Sequence, residues 1–124
     1  MYLKKIVKIN VYDMYLKIVL CDDIEEYNKK SHLKSDLESL DESVLGFEMI
    51  YGEKINKIQY WVTEIVINPN HERFNTGIIV HESVHAGLDI FNTLGMSRIY
   101  DDQEPLSYLV EFIFKEVYKF YNKK

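Results

Sequence analysis

The chain predicts an α+β fold, a small mixed sheet packed on helices, and three observations carry that expectation. β-like and helical stretches follow in the order strands, helix, strands, helix, helix, without the regular alternation of a parallel α/β sheet. The 124 residues are 47% hydrophobic and 28% charged, enough apolar side chain for one core and too little chain for two. No internal repeat, low-complexity tract or Gly/Ser linker divides them, so residues 1–124 are expected to form a single domain.

Ile6–Val11 and Tyr15–Leu20 are rich in β-branched and aromatic side chains around Asp13, and predict a hairpin or one long bent strand. Asp22 and Asp23 offer helix caps, with Glu25 and Glu26 at capping-box spacing. Ile24, Tyr27, Leu33, Leu37 and Leu40 recur at mostly helical intervals, with a break expected near Ser31 and His32. β character returns at Phe47–Tyr51, with a turn expected at Gly52-Glu53-Lys54. A long strand then runs from Ile58 to Ile67 and stops at Asn68-Pro69-Asn70, where proline removes a backbone donor.

From about Phe74 to Leu94 the period changes to 3.6, with Val80, Val84, Leu88 and Phe91 as the expected core stripe and Gly95 as the stop. A last helix is expected from Asp101 or Asp102 to about Asn122. It has Pro105 in its first turn and Leu106, Leu109, Val110, Ile113, Val117 and Phe120 as its core face. Tyr2, Tyr12, Tyr15, Tyr51 and Tyr60 in the strands, Tyr118, Phe120 and Tyr121 in the last helix, and Trp61 are read as packing residues.

A net charge of -5, with only short lysine pairs such as Lys29-Lys30, argues against a nucleic-acid partner, which needs a concentrated basic surface. The single cysteine, Cys21, lies in an apolar run and reads as a buried, inert thiol suited to a reducing compartment. The N-terminus lacks the apolar core of a signal peptide, and no stretch approaches the ~20 apolar residues of a membrane span. A cytoplasmic protein without a membrane partner is the expectation.

His81-Glu82-Ser83-Val84-His85 is an H-E-x-x-H match inside the best helical pattern of the chain. Residues four apart on a helix advance by about 40° around the axis and about 6 Å along it, so both imidazoles project to one side and can reach one zinc ion. Glu82 is turned about 100° from His81, a poor position for a ligand and a good one for a general base beside the water that the metal activates. His32 and His71, standing alone, read as surface or turn residues.

A catalytic zinc site takes three protein ligands and keeps one position open. No histidine follows His85, so the third ligand is expected to be a carboxylate: Asp89, Asp101, Asp102, Glu104 or Glu111. Asp89 is rotated away from the histidines on the wheel, and Asp101 and Asp102 are better used as caps. Glu104 and Glu111 share a face of the last helix with Tyr108, opposite its core stripe. Glu104 is favoured over Glu111, because the 19 residues from His85 suffice for a turn and a return into the first turn of the next helix.

His81-Glu82-Ser83-Val84-His85-Ala86, followed by Asp101-Asp102-Gln103-Glu104-Pro105-Leu106-Ser107-Tyr108, resembles the gluzincin class of zinc metallopeptidases. More narrowly it resembles small metallopeptidase-like proteins of bacteriophages and mobile elements. The likeness covers about residues 60–121 and implies a minimal zincin-like domain. It also implies His81, His85 and Glu104 as zinc ligands, and Glu82 as the base that takes a proton from water and passes it to the leaving amine. Larger gluzincins often carry an aspartate four residues after the ligating glutamate, and Tyr108 stands there. The likeness thus assigns Tyr108 either the orientation of a ligand or a transition-state hydrogen bond, with His71 and Tyr100 as further candidates for the latter.

A peptide or protein substrate is expected, pairing with the strand that ends at Ile67. Two alternatives share the fold: a regulator that cleaves or binds one repressor partner, and a non-catalytic inhibitory protein that occupies a host enzyme.

Overall fold

The computed structural model describes residues 1–31, 45–96 and 103–123. Strand β1 (Tyr2–Ile9) and strand β2 (Met14–Cys21) form an antiparallel hairpin, with Tyr2 opposite Cys21 and Ile9 opposite Met14. Of the two arrangements expected for this region, the hairpin is the one formed. Its connection is one 3-10 turn at Asn10–Tyr12, closed by Asp13 at φ 50°, a left-handed conformation that aspartate tolerates better than most residues. Helix α1 (Ile24–Lys30) starts at Asp23, whose carboxylate accepts from the backbone N–H groups of Glu25 and Glu26. The Leu33, Leu37 and Leu40 part of the predicted helix lies outside the described residues, as do His32, Tyr100, Asp101 and Asp102.

Strand β3 (Gly46–Ile55) and strand β4 (Ile58–Ile67) pair antiparallel from Gly46 opposite Ile67 to Ile55 opposite Ile58. The turn is Asn56-Lys57, at φ 52° and 70°, and not Gly52-Glu53-Lys54 as the glycine suggested. Two left-handed residues match the twist of the flanking strands, and placing them here extends the ladder past Gly52, which pairs with Trp61 inside the strand. Trp61 is exposed, not packed in the core.

The sheet order is β1-β2-β4-β3, with β2 and β4 parallel and Leu20 opposite Ile67. β4 is therefore an inner strand whose backbone is used on both sides, so it cannot receive a peptide as expected. Among the described residues, the sheet edges are β1 and β3.

One face of the sheet presents Leu16, Ile18, Leu20, Ile65 and Ile67 to helix α2 (Gly77–Thr93) and helix α3 (Glu104–Asn122), and there the main core forms. α3 buries Leu109, Ile113 and Val117, with Leu106 and Phe120 packed beside them, which is the predicted face. α2 is rotated by about one residue from its predicted orientation. Ile79, Glu82, Ser83, Ala86, Gly87, Ile90 and Phe91 are buried, whereas Val80, Val84 and Leu88 are 48%, 41% and 40% exposed.

Small side chains explain the rotation. A Cβ on Gly87 would stand 2.7 Å from Val110 Cγ2 and 3.2 Å from Leu106 Cδ1, so α2 and α3 meet closely only with glycine at the crossing. Counting aliphatic residues alone places the larger valines and leucine there instead. On the opposite face of the sheet, Val19, Cys21 and Val66 pack with Tyr27 of α1, and Cys21 Sγ donates to the Asp23 carbonyl at 3.1 Å. Among the described residues, no helix is long and apolar enough to cross a membrane.

Candidate functional site

α2 carries His81 and His85 on its exposed side, one turn apart, as the spacing predicts. Their Nε2 atoms face each other at 3.1 Å, with ring centroids 4.7 Å apart and planes at 76°. Zinc–imidazole bonds of 2.0–2.1 Å at a tetrahedral angle require the two nitrogens about 3.3 Å apart. The observed separation is close to that spacing.

Glu82 lies one step around the helix and is 6% exposed, with Oε1 3.9 Å from His81 Nε2. Burial raises its carboxyl above the ordinary value of 4.5, while the neighbouring His81 and His85 pull it back down. A buried carboxylate beside a pair of imidazoles has the position and the basicity of a proton acceptor. Ser83 steadies the same turn by donating from Oγ to the Ile79 carbonyl at 2.7 Å.

A carboxylate that sequence reasoning passed over joins this region. Glu48 stands on the side of β3 that faces α2, where Asp89 is near enough to act on it. Burial above all, then Asp89, then the charge of Glu82 push its carboxyl up to about 9. Its Oε2 is enclosed and has no hydrogen-bond partner among the described residues. The available signal was an acid in the inward phase of an apolar strand, level with Ile50 on the same face.

Glu104 is exposed at the first residue of α3, and Glu111 pairs with Lys115 at 2.7 Å on the outer side of the same helix. The α3 face that meets α2 at Gly87 is that of Leu106 and Val110, opposite these acids. Tyr108 is exposed and lines a separate cavity of about 460 Å³ with Ile9–Tyr12, Pro105 and Phe112. His71 sits in the turn after β4, where its Nδ1 accepts from the Arg73 backbone N–H at 3.0 Å. The structure thus brings together His81, His85 and Glu82. Among the described residues, no group of three or more histidine, cysteine, aspartate and glutamate side chains has the spacing of a metal cluster.

Known proteins add nothing to this picture. No protein family, no curated protein and no solved structure matches the chain.

Proposed function

We propose that the chain is a zinc-dependent peptide hydrolase in which His81 and His85 hold the metal, a carboxylate completes the protein ligands, and Glu82 is the general base. The observation that carries this reading is the pair of exposed imidazoles with Nε2 atoms 3.1 Å apart and the buried Glu82 beside them. For the third ligand the proposal keeps Glu104, on the strength of the sequence resemblance. Bound zinc would supply Lewis-acid polarisation of the scissile carbonyl and a lowered pKa for the attacking water.

The chain's own residues do the rest. Glu82 takes a proton from water and delivers it to the leaving amine, and its burial strengthens it as a base. The edge strand β3, packed against α2, replaces β4 as the platform on which an extended substrate adds a strand.

The test is Glu82→Gln in protein purified without chelators. Hydrolysis of an unstructured peptide should fall about 10²- to 10⁴-fold while zinc, measured by elemental analysis, stays at one equivalent per chain. Full activity in the variant would remove Glu82 from the base role, and wild-type protein lacking stoichiometric zinc would remove the hydrolase reading.

One observation favours a second reading, a regulator or inhibitor directed at one host or repressor partner. Val80, Val84 and Leu88 form an exposed apolar row beside the two histidines, suited to a protein surface. Cleavage of generic peptides separates the two, since a single-partner protein leaves them intact.

A further inference from the structure

His81 and His85 hold two nitrogens 3.1 Å apart, close to the spacing that two imidazoles take on one zinc ion. Zinc bound by protein side chains alone takes four ligands in a tetrahedron, so the pair supplies half of a closed set. Among the described residues no third metal-binding side chain stands with them. The other half can come from the same two histidines of a second copy, because a two-fold axis sets one surface patch against itself.

The surroundings of the pair suit that arrangement. Val84, Leu88, His81, Asn92 and His85 fall within a sector of about 100° on α2, and all of them are exposed. The sector carries no carboxylate, lysine or arginine, so two chains of net charge -5 can approach through it without setting like charges face to face. Val80 lies beside it, 48% exposed. Phe114 and Tyr118, their rings stacked at 5.6 Å, follow Val110 at helical intervals along the side of α3 that meets α2 and continue the apolar surface.

This surface is small. A stable interface uses about 20–30 residues a side, more than twice what α2 and α3 offer here. Apolar contact alone therefore leaves two copies apart, and a shared ion makes up the difference. A second copy brings both the matching apolar row and the two missing nitrogens.

We propose that zinc joins two copies of the chain through this face, each giving His81 and His85 to one shared ion, and that the joined pair is a latent form of the site. With four imidazoles bound, no position is left for water and Glu82 has no proton to take. Scarce zinc favours the shared ion, and ample zinc gives each chain its own. The inference rests on the reading of His81 and His85 as a zinc pair, and association is measured without turnover.

The experiment is light scattering of the full chain, stripped with chelator and then titrated with zinc chloride, with the zinc content of each species determined. The mass should double near half an equivalent, with one ion per two chains, and return to the monomer's in chelator or in excess zinc. His85→Ala should abolish the doubling. Val84→Glu, which sets two carboxylates against each other near the axis, should raise the dissociation constant of the dimer about tenfold or more. Both side chains are exposed, so unfolding of the metal-free variants should match the parent.

A monomer at every zinc level overturns the proposal. So does a dimer that persists in chelator or in excess zinc, holds one ion per chain, or survives either substitution undiminished. Peptide cleavage by the dimer at the monomer's rate removes the latent form. Cleavage by neither species, with the zinc dimer formed, removes the hydrolase reading and leaves the shared site standing.

Discussion

Two faces of the same sheet bury carboxylates in opposite ways. On the α1 side, Glu64 is 2% exposed and accepts from the hydroxyls of Tyr27 and, at 2.6 Å, Tyr51, with the 4%-exposed Lys17 ammonium 3.4 Å away. On the α2 side, among the described residues, the buried Glu82 and the half-buried Glu48 have no cationic partner besides the imidazoles next to Glu82, and the enclosed Oε2 of Glu48 meets no donor. The first arrangement is complete and ties β2, β3, β4 and α1 together. The second is incomplete, and its acids are shifted as groups that handle protons or ligands are. A buried acid surrounded by donors belongs to the framework, whereas an enclosed carboxyl oxygen without them raises the cost of the charged form.

The contrast breaks most visibly if the complete side loses one member. Lys17→Met leaves Glu64 buried without its counter-charge and should destabilise the chain by about 3–5 kcal/mol in urea unfolding. A change of only a few tenths would mean that Glu64 is satisfied without lysine and that the two faces do not differ as described.

Next comes a change of opposite sign on the incomplete side. Glu48 keeps a proton in the folded chain up to about pH 9, whereas the unfolded chain releases it near 4.5. Between those values the native state binds more protons, so stability falls as pH rises through this window. Glu48→Gln should flatten that decline and stabilise the protein at alkaline pH, as read from melting temperatures across the range. An unchanged slope would assign the effect elsewhere.

Smaller effects sharpen the picture of how α2 is held. Gly87→Ala places a methyl 2.7 Å from Val110 Cγ2 and should cost about 1–3 kcal/mol in urea unfolding. Glu111→Ala removes only an exposed pair with Lys115 and should change stability by less than about 0.5 kcal/mol. A larger loss there would point to a contact of Glu111 beyond Lys115.

Much of this was legible in the residues. The two strands around Asp13, a helix cap at Asp22 or Asp23, the strand ending before Pro69, the core face of α3 and the juxtaposition of His81 and His85 all follow from short-range rules, because periods of 2 and 3.6 and the geometry of one helical turn need no knowledge of neighbours. The β3–β4 turn was misplaced because glycine draws attention as a breaker, whereas Asn56-Lys57 supplied the two left-handed residues that the ladder needed. Glu48 escaped notice because a lone acid between Phe47 and Met49 has no local partner that marks it.

By itself the chain determined which segments are strands and helices, and that two imidazoles share one helix side. Only the tertiary structure decided which side of α2 is buried, since the close approach of α3 selects Gly87 over the more hydrophobic Val84 and Leu88. It alone also decided that β4 lies inside the sheet and β3 at its edge, and that Glu48 and Asp89 come near each other. Those are contacts between residues far apart in sequence, set by how faces of different elements fit, and no periodicity within one element encodes them.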